Sequence, residues 1–356
     1  MIRSFRLRDS LLVARLQRGG TPLDIEEQLT HPRSPLRSVL IKTMLKPRTG
    51  PSTFILDQQD ENGRQLGLAQ MRNRPGRPEQ DVVFMSPTLD AGNGSHATWQ
   101  RLLAHLCVQT AERGSLRIYA RLPLQSDELQ LFKAVGFLEY GQEEIYQLGQ
   151  PVNPQARQSA LELRPQQPSD GWGLQKLYAT LAPRAVQNAE GLAQAQWDLT
   201  PWHWGEQGRR TGYVWEANGE ILAALHIRTG KCGYLIRTLL HPEALEQAEE
   251  LAKAALSLTG VKPNLPVFFA FRQYEAGWQN VLPGLGFAPL TSQALVVKHM
   301  AVRVRQKSPV LMPALEKSPP EGAATSVISQ ADTAPVEGVH HHNQAQHYRH
   351  KTCILL

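Results

Sequence analysis

The sequence predicts an α/β protein in which one mixed-sheet sandwich occurs twice in tandem, followed by a disordered tail. Three observations predict it. LFKAVGFLEY at 131–140 returns as VLPGLGFAPL at 281–290, each reading as a helix that ends at a glycine and turns into a strand. Asn-Gly pairs sit between extended runs in DENGRQLGLAQMR (60–72) and EANGEILAALHIR (216–228), the strongest short-range hairpin signal. The 16-residue spacing from Ala120 to Gly136 is repeated from Ala270 to Gly286.

Taken in order, FRLRD (5–9) opens the first half and leads into a helix with Leu12 and Leu16 on its apolar stripe. After the hairpin come a strand at VVFMS (82–86) and a helix whose Trp99, Leu102, Leu103, Leu106 and Thr110 share one face. SLRIYARLP (115–123) alternates as a strand does, 127–135 is helical, and EEIYQL (143–148) closes the half. The second half opens likewise at LELRP (161–165), with Asp170 before Leu174, Leu177 and Leu181. LPVFFAF (265–271) is apolar throughout, as a strand buried on both faces is. Gly136 and Gly286 fit the left-handed position past a helix end. The polar, proline-bearing stretch 150–160 separates domains at 1–150 and 158–302. From 303 to 356 the chain loses periodicity and becomes rich in Pro, Ser, Ala and Glu, a disordered low-complexity tail.

Bulk composition narrows the function. Apolar residues make up 41% and charged ones 20%, a soluble balance, and no apolar run is long enough for a membrane span. The net charge of +6, from 38 basic and 32 acidic residues, suits an anionic cofactor without requiring nucleic acid. Cys107, Cys232 and Cys353 form no CxxC pair, so neither disulfides nor zinc are expected. The charged start MIRSFRLRDS is unlike a signal peptide, and a cytoplasmic location is expected.

This order of elements resembles the GNAT acyltransferase superfamily, and its doubling resembles that superfamily's tandem members, across nearly all of 1–302. The most specific part runs from strand 115–121 through helix 127–135 and Gly136-Phe137 to EEIYQL. The resemblance implies two GNAT-like mixed-sheet α/β sandwich domains and acetyl-CoA, or another acyl-CoA, as co-substrate. Its pantetheine would pair with the strand 82–86, at Met85 and Ser86, and with Gln125. Its pyrophosphate would sit on the next helix N-terminus, where unpaired N–H groups and the helix dipole favour anions. DAGNGSHATW (90–99) offers Gly92, Asn93, Gly94 and Ser95 there; a plain polar turn is the other reading. Where the family places Gln or Arg before the glycines, this chain has Leu89. The second half has no glycine at that point and carries Glu243, Glu246, Glu249 and Glu250, which would repel a pyrophosphate. It is expected to be a degenerate half without CoA.

The implied activity is acyl transfer to the amine of an unknown small molecule or peptide. The alternative is a catalytically inactive tandem fold serving as a binding or scaffold protein. The family's thiolate-protonating tyrosine is here Phe132, and Leu282 in the second half. Catalytic candidates are Glu79 and Asp81 as bases and Tyr140 or Tyr146 as acid; solvated charges and strand packing are their plainer readings. Trp202, His203 and Trp204 in PWHWGEQ would wall an acceptor pocket or anchor a loop. Arg72, Arg74 and Arg77 form a basic hairpin loop, too few for a nucleic-acid surface. The tail histidines (His340, His341, His342, His347, His350) imply no metal site without a fold to fix them. No membrane partner is expected unless Cys353, in a C-terminal C-a-a-X pattern, is lipidated.

Overall fold

The computed structural model describes residues 1–45, 52–60, 63–74, 76–91, 94–149, 159–191, 209–259, 265–275 and 277–300. The first half runs β1 (Ile2–Ser4), α1 (Ser10–Leu16), β2 (Thr21–Pro22), α2 (Ile25–Thr30), α3 (Pro35–Leu45), β3 (Ser52–Asp60), β4 (Gly63–Asn73) and β5 (Glu79–Ser86). It ends with α4 (Ser95–Glu112), β6 (Arg117–Pro123), α5 (Asp127–Ala134) and β7 (Leu138–Leu148). The second half repeats the plan with β8 (Arg164–Pro165), α6 (Gly171–Leu181), α7 (Arg184–Glu190), β9 (Arg209–Ala217), β10 (Glu220–Thr229) and β11 (Tyr234–Leu240). Then come α8 (Ala248–Leu258), β12 (Val267–Arg272), α9 (Trp278–Val281) and β13 (Phe287–His299).

Local sequence explains the local structure. Asn218 (φ +54°) and Gly219 (φ +78°) form the primed turn between β9 and β10 that Asn-Gly favours. Gly136 (φ +94°) and Gly286 (φ +83°) are left-handed, as a helix exit into a strand requires. The alike openings share one device. Arg3 pairs with Asp9 at 2.5 and 2.7 Å, and Arg164 pairs with Asp170 at 2.8 and 2.9 Å.

One sheet crosses both halves, in the order β1-β3-β4-β5-β6-β13-β7-β12-β11-β10-β9-β8. The halves exchange their last strands. β13 of the second half lies between β6 and β7 of the first, and β7 lies between β12 and β13. Glu143 stands opposite Gln293 at the centre of the β7–β13 ladder, with one β-bulge residue on each strand, Tyr140 and Leu290. These positions are 150 apart in both cases, so the exchange has a local two-fold symmetry.

Helices cover both faces of the sheet. On one face α4 packs its stripe (Trp99, Leu102, Leu103, Leu106) on Met85, Ile118, Phe132 and Phe137, while α8 packs Leu251 and Ala255 on Ile236, Phe269 and Phe271. On the other face the helices also cross over. Ile25 and Leu29 of α2 pack on Leu235, Phe268 and Ala270 of the second half. Ala189 of α7 packs on Tyr119 of the first, whose hydroxyl donates to the Ala189 carbonyl at 2.8 Å.

Candidate functional site

Strands β5 and β6 pair in parallel over Glu79–Asp81 and Arg117–Tyr119 and then part. A bulge at Val83 marks the parting: Gln70 faces Phe84 while Met71 faces Val82, which leaves Val83 over. Bulges bend a strand and re-aim its groups, and are common beside active sites. Met85 and Ser86 therefore stand at the mouth of a splayed strand pair, paired on one side to Ala69 and Leu68 of β4.

Their other edge carries a strand that the sequence did not announce. Thr21 lies opposite Met85 and Pro22 opposite Phe84. The Leu23 N–H donates to the Val83 carbonyl at 2.9 Å, and the Thr88 N–H donates to Gly19 at 2.8 Å. The Ser86 hydroxyl donates to the Leu16 carbonyl at 2.7 Å. Gly20 permits the approach, since a Cβ there would stand 2.2 Å from the Phe84 ring and 2.8 Å from the Met85 carbonyl. The edge read from sequence as the pantetheine strand is thus paired to the chain's own residues 19–23.

Gly92 and Asn93 lie outside the described residues. Gly94 (φ +98°) is the N-cap of α4, and no side chain caps that end. The Ser95 hydroxyl turns back to the Leu89 carbonyl at 2.6 Å. No acidic residue stands in the first turn of α4, whereas α8 begins with Glu249 and Glu250. Gln125 is exposed in left-handed backbone (φ +57°), next to Ser126, which caps α5.

The expected bases are not solvated charges. Glu79 is buried and ion-paired to Arg77 at 3.0 Å and Arg117 at 2.9 Å. Arg77 also donates to the Glu190 carbonyl, so this group holds the C-terminal end of α7, where cations suit the helix dipole. Asp81 is paired to Arg74 at 2.7 Å. Phe132 is fully buried, 4.8 Å from the Phe137 ring. Tyr146 packs on Phe271 in the core. Tyr140 differs from these. As a bulge residue it is half-buried, and its hydroxyl makes no hydrogen bond among the described residues. Burial, reinforced by Glu190 and offset by Arg272, Arg74 and Arg121, pushes it up to about 12, so it is a neutral proton donor near pH 7.

Beside Tyr140 the sheet centre carries a layer of charge. Burial would raise Glu143, but Arg237, Arg272 and Arg121 hold it at about 2. Burial is likewise outweighed at Asp24, about 2, where Arg72 and Arg121 face it. At the end of β12, Glu275 goes the other way: burial dominates the backbone bond from Arg272 and raises it to about 7. Its other oxygen is buried without a hydrogen-bond partner. A carboxyl raised on folding adds stability that is complete below the unfolded value and lost as pH rises through 7. Glu275→Gln is therefore expected to stabilise the protein by about 3 kcal/mol at pH 8 and leave it unchanged at pH 4, read from urea unfolding at both pH values. An equal effect at both would contradict this.

Sequence reasoning placed the α4 stripe, and missed β2, Glu26, Glu143 and Glu275. PWHWGEQ with Trp202, His203 and Trp204, the linker residues 150–158, and the tail with its histidines and Cys353 lie outside the described residues. Among the described residues no His/Cys/Asp/Glu group could hold a metal, and no helix is long and apolar enough to cross a membrane.

No protein-family model matches the chain, and no curated protein matches it. Solved structures do. A tandem GNAT protein from the clavulanic acid biosynthesis pathway is 15% identical, over 85% of this chain and 99% of that one, with a TM-score of 0.48. A GCN5-related N-acetyltransferase from Sphaerobacter thermophilus is 14% identical, over 84% and 95%, at 0.49. The GCN5-related glucosamine N-acetyltransferase region of a fungal multi-domain GH3 β-N-acetylglucosaminidase is 13% identical, over 84% and 38%, at 0.48.

Proposed function

We propose that the chain is an acyl-CoA-dependent N-acyltransferase whose first half takes acetyl-CoA or another acyl-CoA and passes the acyl group to an amine, in the cytoplasm. One observation carries the reading: in the first half two parallel strands part at a bulge, beside a long helix whose N-terminus no side chain caps. The second half lacks this combination, because β11 pairs with β10 without a bulge and α8 begins with carboxylates.

In this reading the amides at Gly92 to Ser95 hold the pyrophosphate, and the edge of β5 at Met85 and Ser86, with Gln125, holds the pantetheine. A strand N–H at the bulge polarises the thioester carbonyl. Glu79 and Asp81 are held by arginines, so the amine's proton passes to water or to the acceptor's own groups. Tyr140, neutral near pH 7, supplies the proton that the departing thiolate takes up.

A second reading is favoured by β2. If residues 19–23 stay on β5, no acyl-CoA reaches its edge, and the tandem fold is a binding or scaffold module. Thermal melts with acetyl-CoA decide between them. Saturation at a hundredfold excess over Kd adds about 2.7 kcal/mol of stability. Gly20→Val, which forces the segment off Phe84, is expected to tighten acetyl-CoA binding. A shift in the variant alone identifies a closed resting state; no shift in either protein at millimolar ligand leaves the scaffold reading.

A further inference from the structure

Among the described residues, the charge where the halves meet does not balance. Arg121 on β6 and Arg237 on β11 stand at corresponding mouths, where the parallel strands of each half part. Both reach Glu26 of α2, at 2.7 and 2.8 Å, and Arg228 approaches it at 3.5 Å. Glu143 receives Arg237 at 2.5 Å and Arg272 at 3.4 Å, and Arg272 also meets Glu190 at 3.1 Å. Four guanidiniums thus share three carboxylates. Asp24, which Arg121 also meets at 3.7 Å, and Glu27 are held by Arg72 and Arg33, so including them adds two acids and two arginines and leaves the difference unchanged. Glu275, raised to about 7 by burial, is only partly ionised at pH 7, which leaves a surplus of up to one positive charge.

The surplus also shows as spare donors. Arg272 Nη1 is buried without a hydrogen-bond partner. Arg121 and Arg237 keep 25% and 26% of their side chains open to solvent. Tyr140 and Tyr274 border the same charges, and neither hydroxyl has a hydrogen bond among the described residues. An uncompensated charge in such surroundings is costly, and an entering anion removes the cost. The size of the surplus selects the anion. One extra positive charge suits a monoanion, and planar guanidinium forks suit a planar carboxylate, while a phosphate dianion would overshoot.

We infer that this arginine cluster binds a small carboxylate, clasped by Arg121 and Arg237 beside the hydroxyls of Tyr140 and Tyr274. Resting on the acyltransferase reading, that carboxylate belongs to the acceptor, which makes the substrate an amino acid or another amine bearing one carboxyl group. The cluster adjoins the splay, since Asp24, 3.7 Å from Arg121, directly follows the Leu23 that pairs with Val83.

The test is a melt and a calorimetric titration of the full chain with sodium propionate, propionamide, sodium phosphate and sodium chloride at matched ionic strength. Propionate is expected to raise the Tm saturably, with propionamide and chloride inert. Arg121→Lys and Arg237→Lys keep the charge but lose the fork, and each is expected to weaken propionate about tenfold. Arg64→Lys, on an exposed pair outside the cluster, is expected to leave propionate binding unchanged. Propionate acting no differently from chloride overturns the inference, as does phosphate alone stabilising, or both lysine variants binding normally. Should one variant fail to fold, the other and the ligand series on the natural chain still decide. Propionate binding without acetyl-CoA binding keeps the carboxylate site and removes the acyltransferase reading; the reverse removes the carboxylate site alone.

Discussion

Glu143→Ala is expected to cost about 3–5 kcal/mol of stability, the usual loss when one partner of a buried ion pair is removed. Glu143 is wholly buried at the centre of the β7–β13 ladder, where it accepts from Gln293 and faces Arg237 and Arg272. Alanine removes the carboxylate that Arg237 and Arg272 share and leaves them only Glu26 and Glu190. Glu143→Gln keeps the bond to Gln293 and loses only the charge, so its cost should be smaller. The folded value near 2 fixes the sign of the pH dependence. A depressed carboxyl contributes fully above its unfolded value and loses that contribution as pH falls from about 5 towards 2. In urea unfolding, the gap between the natural chain and Glu143→Ala should therefore narrow across that window. A loss under about 1 kcal/mol at pH 7, or a gap that does not narrow in acid, would show that the arginines have found other partners.

Residues 1–150 expressed alone are expected not to form a stable monomer. The piece lacks β13, which bonds to both β6 and β7, and so exposes two unpaired strand edges and the apolar residues that Val296 and Ala294 cover. Residues 158–302 alone lack β7 in the same way. Co-expressed, the pieces should recover a one-to-one complex with the circular dichroism and melting behaviour of the intact chain. Size exclusion and melting curves decide the matter. A well-folded monomer from 1–150 would mean that its own β7 can turn back to β6.

The duplicated plan was legible because it rests on local signals. Asn-Gly turns, glycines at helix exits and the stripe of α4 each specify a conformation within a few residues. The exchange of β7 and β13 was not legible. Alternation says that a segment is a strand, not which strand lies beside it, and either segment fits either slot. The twin spacing even misled by one residue. Pairing sets Pro123 opposite Gln293 and Arg272 opposite Glu143, so corresponding positions on β6 and β12 are 149 apart, while those on β7 and β13 are 150 apart. Ala120 consequently faces the α4 core and Ala270 faces α2.

The candidate site was legible only in part. GGTPLD (19–24) reads as a turn, because two residues of strand carry no period; its pairing is decided by the vacant edge of β5. The charge layer has no motif at all. Arg237 and Glu26 lie 211 residues apart, and only the crossing of α2 onto the second half brings them together. Tyr140 was visible as an aromatic residue in a closing strand, and the bulge that turns it towards the arginines was not.

Reciprocal strand exchange also sets a timetable for biosynthesis. The ribosome releases β6 and β7 well before it makes β13, some 150 residues later. Until that last strand emerges, the amino-terminal sandwich cannot close, and its nascent form displays a gap where aggregation begins. On this topology completion of the sheet waits for β13, and a ribosome stalled before residue 287 is expected to leave a product with that slot unfilled.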